Sequence, residues 1–112
     1  MAKTITTYTE FWPFYLGEHS KAATRAFHYT GTVCFIGIVI YGCVTATWWA
    51  LPAAIVVVYA FAWFSHFAIE RNTPATFTYP AWSAVSDFRM LGIAITGRMR
   101  SELAKYQIRP RA

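Results

Sequence analysis

Charge is scarce in this chain: Asp, Glu, Lys and Arg make up 13% of its 112 residues, and only five residues are acidic. Soluble domains carry about 25% charged residues, and a chain this short has a large surface to cover with them. A free monomer in water is therefore excluded. Disorder is excluded from the other side of the composition. Hydrophobic residues reach 56% and aromatic residues 19%, the groups in which disordered chains are poor. Cysteine is nearly missing. Cys34 and Cys43 stand nine residues apart in one apolar run, so a helix places them on opposite faces, where they can neither bond to each other nor supply a paired zinc site. Phosphate loops, nucleophile elbows and glycine-rich dinucleotide motifs are absent, which argues against those enzyme classes. No repeat, low-complexity tract or Gly-x-x-x-Gly step is found either.

What is present is a long apolar middle. From Ala26 to Ile69 no Asp, Glu, Lys or Arg occurs, a run of 44 residues. One membrane span takes about 20 residues, so the run is two spans and a tight connection. Thr47-Trp48-Trp49-Ala50-Leu51-Pro52 supplies the connection: paired Trp suit a membrane interface, and Pro is tolerated in the first turn of a helix. The class read here is an all-α integral membrane protein, a two-span helical hairpin flanked by amphipathic juxtamembrane helices. Within one membrane domain, residues 1–112, the expected segments are a juxtamembrane helix 9–20, transmembrane helices 27–47 and 52–70, an extended loop 71–82, an amphipathic helix 83–97 and a basic tail 98–112. Pro13 is placed in the first turn of the first helix, where its missing N–H matters little.

The ten Lys and Arg give a net charge of +5 and sit on both sides of the apolar run, none in the hairpin turn. That distribution fits flanks facing anionic lipid rather than a nucleic-acid surface. It places both termini in the cytoplasm and the Trp-Trp turn on the far side. The first ten residues lack an apolar signal core, so no cleavage is expected.

Three histidines stand out by position. His28 lies just inside the first span and His66 just before the exit of the second, so an antiparallel pair brings them to one depth. Glu70 follows His66 by one helical turn, and His19 lies on the juxtamembrane helix above that mouth. Imidazole is the commonest metal ligand near neutral pH, whereas a single His at a membrane boundary is an ordinary hydrogen-bonder. A shared metal meets one obstacle. His19 and His28 are nine residues apart, on opposite sides of an unbroken helix, and nothing in residues 20–25 demands a break.

Phe14-Tyr15-Leu16-Gly17-Glu18-His19 with Arg25-Ala26-Phe27-His28-Tyr29-Thr30-Gly31 resembles the first signature of the membrane 2-hydroxy-fatty-acid dioxygenase family. His66-Phe67-Ala68-Ile69-Glu70 with Asn72-Thr73-Pro74-Ala75-Thr76-Phe77 is similar to its second. Tyr79-Pro80-Ala81-Trp82-Ser83 and Asp87-Phe88-Arg89-Met90 look like the tail of its short bacterial branch. The resemblance spans about residues 10–100, in a chain much shorter than the fungal-type members. It implies an iron(II)-dependent dioxygenase in a bacterial inner membrane that shortens 2-hydroxy fatty acids by one carbon, with membrane lipids around it. His19, His28 and His66 are then the expected ligands, with Glu70 a fourth ligand or a partner to an imidazole N–H, and Glu18 and Asp87 further candidates. Arg71 and Arg89 are expected to bind the substrate carboxylate, for which guanidinium is a bidentate match. Two alternatives stand beside this reading: a non-enzymatic accessory subunit of a larger membrane complex, and a bis-histidine haem protein using His28 and His66. A homo-oligomer would supply the enclosure that two spans lack.

Overall fold

Thr7 opens the first helix of the computed structural model, which describes residues 5–108. Its hydroxyl accepts from the Glu10 amide, the side-chain cap that Thr favours at this position. Helix α1 therefore runs Tyr8–Gly17 and starts earlier than expected, so that Pro13 falls inside it rather than in the first turn. The Thr9 carbonyl that loses its donor is at an exposed position, where the loss matters least.

Helix α2, Ala22–Thr45, and helix α3, Ala50–Phe64, form the hairpin. The last turn of α3 widens into a π-turn over Ser65–Glu70. Ala22–Thr45 and Ala50–Glu70 are both long and apolar enough to cross a membrane. Val33, Ile40, Val44 and Val56 point outward along the pair. The two helices close on Gly31, where an added Cβ would stand 2.8 Å from Phe61 Cβ. Ala46 adopts the left-handed conformation at φ 54°, ending α2 before the Trp48-Trp49 turn.

Beyond the hairpin the chain is more ordered than the sequence pattern predicts. Residues 71–82 are not extended throughout: Ala75–Phe77 is a 3-10 turn, and α4 begins at Pro80 and runs to Ile95. Pro80 occupies the first helical position, for which its fixed φ is suited. Within the basic tail, Met99–Lys105 forms a short helix, α5, whose Leu103 is buried. The ends of the expected tail and of the N-terminal segment, with Lys3, Arg109 and Arg111, lie outside the described residues.

The main hydrophobic core does not lie in the hairpin. Phe11, Trp12, Tyr15 and Leu16 of α1 pack against Tyr79, Met90, Ile93 and Leu103. Trp12 Nε1 donates to Glu102 Oε2 at 2.8 Å, tying α5 to α1. This cluster presses α1 and α4 onto one end of the hairpin, and there the polar residues gather.

Candidate metal centre

His19 escapes the helical phase that set it against His28. Helix α1 ends at Gly17, the His19 amide donates back to the Leu16 carbonyl, and Lys21 is extended before α2 begins. Two buried charges hold this turn. Arg25 Nη1 donates to the carbonyls of His19 at 2.8 Å and Ser20 at 3.0 Å. Glu70 reaches across from the π-turn: Oε1 accepts from the Ser20 amide and hydroxyl, and Oε2 from the Lys21 amide and the Thr24 hydroxyl. A carboxylate at a helix N-terminus satisfies amides that have no partner within the helix and complements the helix dipole. Glu70 thus clamps the start of α2 to the end of the second apolar segment. Its carboxylate has these partners in the turn before α2 and in the first turn of that helix, and the imidazole N–H groups have others.

With the break in place, His19, His28 and His66 come together, all buried. One ring nitrogen from each lies within 4.8 Å of the others, so the three could hold a metal ion. The neighbours of each ring decide which nitrogen is offered. His19 Nδ1 lies 2.7 Å from the Tyr15 carbonyl, which can only accept, so the proton sits on Nδ1. Asn72 Nδ2 donates to the Glu18 carbonyl, which turns Oδ1 of the same amide to His66 Nδ1 at 2.7 Å. That ring also carries its proton on Nδ1. For His28 the facing group is a carboxylate, Asp87 Oδ1 at 3.5 Å from Nδ1, itself hydrogen-bonded by the Tyr15 hydroxyl. The rings accordingly present Nε2 inward, and Nε2 of His19 and of His28 are 3.2 Å apart. With both protons on Nδ1, two lone pairs face each other at that distance, an arrangement that a cation between them stabilises.

The electrostatics favour neutral donors. Burial, with His28 and His66 close by, holds His19 well below the usual histidine range. Burial also raises the Asp87 carboxyl, and burial with the Asp87 charge raises the Tyr15 phenol. Beside the imidazoles is a cavity of about 20 Å³ whose walls include Tyr15, Tyr59, Ser83 and Asp87. The buried Ser83 hydroxyl has no hydrogen-bond partner among the described residues. Buried hydroxyls normally have one, so this oxygen is available to a guest in the cavity.

The other expected residues are placed elsewhere. Arg71 is exposed beyond the π-turn at φ 62°, and the Arg89 guanidinium lies over the Trp12 ring, 4.1 Å from its centroid. Neither lines the histidine cavity. Tyr15, Asn72 and Ser83 were not legible as site residues. Tyr15 reads as one of many apolar aromatics, Asn72 as part of a loop, and Ser83 as a helix start.

Fold and site together define an all-helical protein with two helices able to span a bilayer and a buried three-histidine cluster at one end of them. A profile of the family described as 2-hydroxy-palmitic acid dioxygenase Mpo1-like matches residues 5–99, and the chain belongs to that family. Comparison with curated proteins and with solved structures gives no match.

Proposed function

We propose that this protein is an iron(II)-dependent membrane dioxygenase that shortens 2-hydroxy fatty acids by one carbon. The observation that carries the reading is the histidine cluster, in which neighbouring acceptors on Nδ1 leave Nε2 for a metal. His19, His28 and His66 would hold the ion, and Glu70 acts as a positioning residue for the turn that carries His19. These three neutral imidazoles would hold iron(II) and leave room for O₂ and a chelating substrate, as the two-histidine, one-carboxylate sites of non-haem oxygenases do. The overall change balances as 2-hydroxy acid and O₂ giving the shorter acid, carbon dioxide and water. Ser83 is placed to donate to a substrate oxygen. Buried Tyr15 and half-buried Tyr59 shield the reacting carbon. A cavity of about 20 Å³ accommodates an ion and small ligand atoms and is far too small for a haem between His28 and His66.

The apolar segments Ala22–Thr45 and Ala50–Glu70 span the membrane in this reading. The cations of the flanks put both termini on the cytoplasmic side of a bacterial inner membrane, and the histidine cluster at its inner leaflet.

The test is anaerobic reconstitution of the purified protein with iron(II), followed by metal analysis and product analysis with a 2-hydroxy fatty acid. One iron per chain, lost in His28→Ala and His66→Ala, and a product one carbon shorter are expected. A protein that takes up no metal, or histidine variants that keep full function in cells, would overturn the reading in favour of an accessory subunit.

A further inference from the structure

The histidine cavity has a neighbour. Tyr59, Thr76 and Asp87 also border a second, larger cavity of about 200 Å³ between α2, α3 and α4. Apart from Thr32, its other walls are apolar and include Phe35, Val58, Ala84 and Phe88. Along α2 the path leads from His28 past Thr32 to Phe35, two helical turns and about 10 Å. On α4 the residues that serve the two cavities interleave: Ser83 belongs to the first, Ala84 and Phe88 to the second, and Asp87 to both. At the far side the Phe35 and Phe88 rings meet edge to face, with centroids 6.0 Å apart.

We propose that this groove takes the acyl chain of the substrate and that Phe35 and Phe88 form its end wall, setting the length of chain the protein accepts. The inference rests on the proposed reaction, because it is the 2-hydroxy acid head at the histidine cluster that points the chain into the groove. That the two cavities adjoin across Tyr59, Thr76 and Asp87 singles out this occupant. A chain entering from the bilayer leaves surroundings as apolar as the groove, so methylenes along it gain little. Discrimination comes from the wall. A chain too long for the groove must part the contact between half-buried Phe35 and exposed Phe88, and a clash of that kind costs enough to change affinity about tenfold.

The test measures binding of labelled acids, from 2-hydroxyoctanoic to 2-hydroxystearic, to the iron-loaded full chain in lipid nanodiscs, with protein-free nanodiscs subtracted. Phe88→Ala and Ala84→Phe are compared with the parent, and an unhydroxylated series is run beside the hydroxylated one. In the parent, affinity should fall beyond a limiting length. Phe88→Ala should tighten the longest acids about tenfold and leave the shortest unchanged. A selective tightening cannot come from misfolding. Ala84→Phe, which fills the groove, should weaken all but the shortest acids by about the same factor. An identical length profile in all three proteins overturns the groove assignment and leaves the proposed reaction standing. A shifted profile with no preference for the 2-hydroxyl overturns the proposed reaction and leaves the groove. No binding of either series, as when a bilayer phospholipid tail fills the groove, overturns the assignment as well.

Discussion

Asn72 orients a histidine through a single amide. Its Nδ2 is committed to the Glu18 carbonyl at 3.2 Å, so only Oδ1 can meet His66 Nδ1. The His66 tautomer therefore depends on a residue six positions away in the chain. Partners of this kind commonly account for 10–100-fold in metal affinity. Asn72→Ala should weaken iron binding by about that factor, and Asn72→Asp, which keeps the acceptor, should restore most of it. Competition with a chelator of known affinity measures both. Unchanged affinity in Asn72→Ala would mean that His66 is held in place without this contact.

At the scale of elements, the decisive contact joins the π-turn to the first turn of α2. Glu70 accepts four hydrogen bonds there, from Ser20, Lys21 and Thr24. Losing a cap and leaving buried donors unpaired costs about 2 kcal/mol. Glu70→Ala should lower stability by about that amount in detergent unfolding, while the folded fraction still binds one iron per chain. Complete loss of iron with unchanged unfolding would instead make Glu70 a ligand. This contact also explains what was hidden in the residue pattern. The His66–Glu70 spacing, read on an α-helix, puts the carboxylate one turn beyond the imidazole, but the segment is a π-turn. That the carboxylate would point at α2, and that α1 would stop at Gly17, depends on two segments nearly fifty residues apart meeting. Arg25 lies in that stretch, residues 20–25, but nothing in the sequence shows that its guanidinium turns back to the His19 and Ser20 carbonyls, and the other group that holds the break is a carboxylate from another helix.

For the molecule as a whole, the hairpin is an outer element and the packed core lies at its end. The aromatic cluster of α1 and α4 presses Tyr15 and Asp87 against the rings of His19 and His28. The topology read from the cations makes the Trp48-Trp49 turn and α5 face opposite sides of the membrane. After Cys34 and Cys43 are replaced by Ala, a thiol reagent that cannot cross the bilayer should label Thr47→Cys from one side only. Ser101→Cys should be labelled only from the other. Labelling of both from the same side would overturn the two-span arrangement.

Composition and charge order alone were enough for the broad architecture. A stretch of 44 residues without a charge can only be sheltered by lipid or protein, and its length divides into two spans. The three histidines were legible for the same reason, since ionisable residues at the edge of an apolar run are few. Tertiary contact decided which ring nitrogens face inward, that Glu70 caps a helix, that Arg89 lies over Trp12, and that Asp87, Asn72 and Ser83 complete the site. Those outcomes depend on where partners distant in sequence come to lie, and hydrogen-bond direction and ring orientation exist only once the helices have packed.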